Sequence, residues 1–159
     1  MNQNTRVKNH QWDSALDPEI APLFLALQWA HRRSLEVIRP VLNAHKLSSA
    51  EFDVLATLRN APVPHELTPS QLQDEVVITS GGLTKIMLQL EEKGLIQRLQ
   101  YREDMRIKPL RLTLAGTQKI EVAMQEMIDA TRAWVSTALV PQETARLLEL
   151  LNKLGDKQD

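Results

Sequence analysis

The 159-residue chain predicts a mainly α-helical fold with one small β-hairpin, and three observations lead there. Aromatic residues are only 4% of the composition and only 5 residues are glycine, which disfavours a sandwich of many short strands. Hydrophobic residues reach 43%, enough to bury a core. Apolar side chains recur at helical spacing along most of the chain, and they alternate only in the two short runs LIQRLQY and PLRLT.

The elements follow in order. Asp17-Pro18-Glu19 is a helix start, with an N-cap acceptor, a proline in the first turn and an acid. Leu23, Leu27, Ala30, Val37, Ile38, Val41 and Leu42 continue the helical pattern, and Pro40 should kink this helix or mark its last turn. Ser48-x-x-Glu51 is a capping box that opens a short helix with Phe52, Leu55 and Leu58 on one face. The proline-rich APVPHEL cannot be a helix interior. Thr68-Pro69-Ser70-Gln71 combines a second capping box with proline at the first helical position, and starts a helix of about two turns. Another helix begins near Thr79, carries Leu83, Ile86, Met87 and Leu90, and stops at Gly94 after Lys93. The two alternating runs come next, joined by the charged loop REDMRIK. A long amphipathic helix follows from Leu114 to Leu139, and Pro141 opens a last one rich in leucine.

Helix, short turn, helix, strand, charged loop, strand is the order of a winged helix-turn-helix, a shape that sits on double-stranded DNA. Local charge supports this. The net charge is −1, yet residues 79–111 carry 7 basic and 4 acidic side chains, while both flanking regions are net acidic. The expected DNA contacts lie on the second helix and the wing. Thr79, Ser80, Gly81 and Gly82 form a helix N-terminus whose free N–H groups and dipole attract phosphate. Glycine lets the backbone come close, although Gly81-Gly82 is also explained as a tight turn between helices. Thr84 and Lys85 reach phosphates or base edges, and Gln89 is placed to read adenine or to fill surface. At the wing, Arg102, Arg106 and Lys108 can enter a minor groove, with Asp104 pairing with Arg106 to hold the tip. A solvated hairpin with weak ion pairs is the plain alternative.

LSSAEFDVLATLRN before the reader, LTPSQLQ…TSGGLTKIMLQLEEKGLIQR through it and YREDMRIKPLRLTLAG through the wing together resemble the multiple antibiotic resistance regulator (MarR) family of bacterial winged-helix repressors. Asp104-x-Arg106 followed by LT and a glycine is similar to that family's wing signature. EFDVLATLR, LTPSQL and TSGGLTK look closest to its PecS-like, urate-responsive branch. The resemblance implies an obligate homodimer that binds a pseudo-palindromic operator and releases it when a small aromatic or phenolic ligand binds. It also implies a ligand site of Trp12, Asp53 and Arg98. Asp53 stands in an otherwise apolar short helix, where a carboxylate is costly unless paired, so a structural Asp53–Arg98 ion pair with Trp12 as a packing residue is the alternative. Ile86 stands where that branch usually has another arginine, which disfavours urate itself as the ligand.

These readings divide the chain into an N-terminal segment and first dimerisation helix at 1–47, a winged helix-turn-helix at 48–113 and C-terminal dimerisation helices at 114–159. The end helices either pair two subunits or fold back on their own domain. There is no cysteine, so disulfides and thiolate metal sites are excluded. His10, His31, His45 and His65 form no short-spaced metal pair, no cofactor motif is present, and no enzyme is expected. No apolar run spans a membrane and no signal-peptide core begins the chain, so a cytoplasmic regulator is expected. The competing function is a winged-helix protein-interaction adaptor without DNA binding.

Overall fold

In the computed structural model, residues 20–76, 78–99 and 108–155 are described. Trp12, the helix start at Asp17-Pro18-Glu19 and the wing-tip residues Arg102, Asp104 and Arg106 lie outside them. The helices are α1 (Ile20–Ala44), α2 (Ser49–Asn60), α3 (Pro69–Glu75), α4 (Ser80–Glu92), α5 (Leu114–Ser136) and α6 (Pro141–Gly155). The strands are β1 (Glu66–Leu67), β2 (Ile96–Arg98) and β3 (Leu110–Leu112).

The chain divides after Arg39 into two compact units. In the first, Glu36 pairs with Arg32 at 3.3 Å and Arg33 at 3.2 Å, one helical turn away, while Leu23, Phe24 and Leu27 stay exposed. Pro40 lies inside α1, one turn ahead of its end, in keeping with the last-turn reading.

The second unit holds the core. Both capping boxes close as the sequence expects: the Ser48 and Thr68 side chains accept from Glu51 and Gln71 N–H, and those side chains bond back. Val54, Leu55 and Leu58 of α2, Leu72 of α3, Leu90 of α4, Leu110 of β3 and Ile120 of α5 are fully buried together. Each such side chain contributes about 2 kcal/mol by leaving water. Helix α4 ends in a Schellman motif: Leu95 N–H donates to Leu90 O and Gly94 N–H to Glu91 O, with Gly94 at φ 67°.

The expected hairpin forms, with Ile96, Gln97 and Arg98 opposite Leu112, Arg111 and Leu110. The structure adds a third strand within the proline-rich connection: β1 pairs with β3, placing Glu66 beside Arg111 in an ion pair. Helix α5 stops at Ser136 rather than Leu139, capped at Thr137 by bonds to Trp134 and Val135 carbonyls. No residue of α6 is buried. None of the described helices is long and apolar enough to cross a membrane.

Candidate nucleic-acid interface

Helices α3 and α4 and the β2–β3 pair carry the described candidate residues, Thr79 at the N-cap of α4 and Lys108 just ahead of β3. The turn between the helices is tied by Gln73, whose Nε2 donates to Ile78 O at 2.5 Å. Helix α4 then starts at its N-cap Thr79, whose hydroxyl accepts from Gly82 N–H at 3.3 Å. Leu83, Met87 and Leu90 bury one stripe of α4 and so fix which face remains outside.

That outer face holds Ser80, Gly81, Thr84 and Lys85, all exposed. A Cβ on Gly81 would meet nothing within 4 Å, so its backbone is open to an approaching group. Gly82 differs, because a Cβ there would come within 3.0 Å of Ile78 and Thr79 side chains. The close-turn explanation therefore applies to Gly82 and not to Gly81. The Thr84 hydroxyl donates to Ser80 O at 3.1 Å and keeps its lone pairs. Gln89 is half-buried, flanking the outer face rather than lying at its centre. Lys108 is exposed just ahead of β3.

Two ion pairs hold the reader. Arg98 of β2 donates from Nε to both carboxylate oxygens of Glu91, at 3.0 and 3.2 Å, tying the wing strand to α4. Lys93, the C-cap of α4, donates to Glu51 at 2.6 Å and to Lys46 O at 3.3 Å. Glu51 is buried; burial pushes its carboxyl up, but the Lys93 hydrogen bond and the Ser48 N–H outweigh this and hold it below the ordinary value. Neither pair was visible in the sequence, because Glu91 and Lys93 read as ordinary helix-end charges.

The Asp53–Arg98 ion pair does not form, since Arg98 engages Glu91 instead. Asp53 is also exposed, not placed among the apolar residues of its helix, because the buried stripe of α2 runs through Phe52, Val54, Leu55 and Leu58. The bulk of the domain beneath it still pushes its carboxyl above the ordinary 3.8. Among the described residues no cluster of His, Asp and Glu could hold a metal ion.

Known proteins share this arrangement. The MarR family model matches residues 47–108, which run from the turn before α2 to the base of the wing. The HTH-type transcriptional regulator PecS of Dickeya dadantii is 30% identical over 148 residues, covering 91% of this chain and 88% of that protein. An uncharacterized HTH-type transcriptional regulator of Bacillus cereus is 30% identical over 122 residues, 77% of this chain and 79% of its own. Among solved structures, a mutant MarR from E. coli complexed with operator DNA matches with a TM-score of 0.76 at 27% identity, covering 90% of this chain and 100% of that one.

Proposed function

This chain belongs to the MarR family, and from that premise we propose that it is a homodimeric repressor that grips a pseudo-palindromic operator and is released by a small aromatic or phenolic ligand. It is a DNA-binding transcriptional regulator. The observation that carries the DNA reading is the exposed N-terminal half of α4. Unpaired N–H groups, the positive end of the helix dipole, the open backbone at Gly81 and the Lys85 ammonium converge on one face. A phosphate is the natural occupant of such a face, and Ser80 and Thr84 supply hydroxyls beside it for base edges. Arg102, Asp104 and Arg106 act at the wing tip, with Lys108 at its base.

The homodimer is supported by α6. Leu147, Leu150, Leu151 and Leu154 recur at helical spacing and all remain exposed, which is the face of a helix awaiting a partner. Two readers related by a two-fold axis would contact half-sites about 10 bp apart. Trp12, Asp53 and Arg98 remain the ligand set, on the strength of the resemblance. The setting for this activity is the cytoplasm.

A mobility-shift titration with the DNA flanking the protein's own gene tests the reading. Affinity should fall steeply between low and physiological salt as counterions are released. Flat affinity across that range would reject DNA binding in favour of a protein adaptor.

A further inference from the structure

Helix α4 leaves one large hydrophobic side chain outside, Leu88, with 52% of its surface exposed. It is as apolar as Leu83, Met87 and Leu90, but helical spacing sets it well away from their buried stripe. At about 100° per residue, Leu88 falls roughly 20° from Gly81, 40° from Thr84 and 60° from Lys85 around the helix axis. It is therefore nearer the middle of the outer face than Gln89, which is half-buried. A single exposed leucine is ordinary on a protein surface. Its position here is not, because it stands one turn beyond Thr84 on the face that carries the candidate DNA contacts.

Resting on the DNA-binding reading above, we propose that Leu88 is a specificity-determining residue that reads a pyrimidine C5-methyl group in the major groove. Its side chain has no donor or acceptor, so it cannot follow the hydrogen-bond pattern of a base pair. The apolar feature that the major groove offers is the C5-methyl of thymine. 5-Methylcytosine presents the same group at the same ring position. Packing that methyl against the Leu88 tip removes apolar surface of both from water. Opposite a cytosine, the leucine would cover an unmethylated edge and gain less. Ser80, Thr84 and Lys85 would then supply the polar contacts, and Leu88 the discrimination at one further base.

The test begins with selection of duplexes from a random pool by the full-length protein. Each thymine of the enriched duplex is then replaced singly by uracil, which removes only the methyl. In a parallel series each cytosine becomes 5-methylcytosine. The full set is measured with wild type and Leu88→Ala. Alanine suits an exposed helix position, and matched thermal melts would confirm an intact fold. For a thymine reader, one uracil replacement per half-site should weaken wild-type binding about fourfold, the worth of one buried methyl group. That penalty should vanish in Leu88→Ala. For a methylcytosine reader, one methylated cytosine should instead strengthen wild type by a similar factor and leave the variant unchanged. Penalties equal in both proteins, or below twofold at every position in both series, would overturn the role of Leu88 alone. Failure to enrich any duplex would overturn the DNA reading together with it.

Discussion

Lys93 Nζ lies 2.6 Å from the Glu51 carboxylate, so the C-terminus of α4 is tied to the first turn of α2 across 42 residues of sequence. The carboxylate is buried and the ammonium half-exposed, which makes the pair costly to break from the lysine side. Lys93→Met should cost about 2 kcal/mol by leaving a buried acceptor without its cation. The pair also sets a pH dependence. The folded Glu51 carboxyl is held below its ordinary 4.5, so its stabilisation is complete above that value and is lost as pH falls through the folded value. Urea unfolding from neutral to acid pH should show this loss in wild type and a shallower one in Glu51→Gln.

Gly116 sits in the first turn of α5, where a Cβ would collide with the backbone carbonyl of Leu95. That carbonyl also accepts from Thr113 N–H at 3.0 Å, so neither side can retreat cheaply. Gly116→Ala should destabilise by about 3 kcal/mol, the upper part of the range for overpacking. A melt unchanged from wild type would contradict this close approach.

Glu91 and Arg98 offer a way to separate wing positioning from ligand binding. If Arg98 serves only to hold the wing strand on α4, Glu91→Gln and Arg98→Ala should weaken operator binding alike and leave ligand release intact. If Arg98 also grips an effector, only Arg98→Ala should blunt release. Urate and simple aromatic acids titrated against the preformed operator complex decide it, with Asp53→Ala as the companion variant. Ile86 cannot donate a hydrogen bond to an anion, so the aromatic acids should outperform urate.

Lys85 and Arg106 should differ in how they affect binding. Lys85→Ala should lower the slope of log affinity against log salt by about one, with little change in sequence preference, if the ammonium grips phosphate. Arg106→Ala should weaken all operators by a similar factor, and most where the neighbouring minor groove is rich in A·T pairs. Full operator affinity in Arg106→Ala would reject the wing role.

Leu151 lies in the exposed apolar stripe of α6. Leu151→Glu should shift the protein from dimer to monomer in sedimentation, with little effect on helicity, because the position contributes nothing to the core of its own chain. An unchanged dimer would place the subunit contact elsewhere.

The helices were legible because their ends carry chemistry of their own. Ser48 with Glu51, Thr68 with Gln71 and Thr79 with Gly94 mark starts and stops by side-chain hydrogen bonds and by a positive φ, and neither needs tertiary context. β1 was hidden because two residues have no period; Glu66 and Leu67 form a strand only because β3 offers an edge. Arg98 was placed in β2 correctly, but its partner depends on how the Gly94 turn folds back, which brings Glu91 rather than Asp53 within reach. Leu88 fell outside the apolar stripe by spacing, but nothing in an apolar side chain signals contact with DNA until its exposure is seen.

The unburied final helix has a consequence for how the cell sets operator occupancy. If a second copy is what covers these leucines, the subunit is assembled by mass action, and at low abundance dimer rises with the square of chain concentration. Chains without a partner would present Leu147, Leu151 and Leu154 to proteases and chaperones and be cleared first. Modest changes in synthesis would then become steep changes in operator occupancy, and gene dosage would act as a control alongside any ligand.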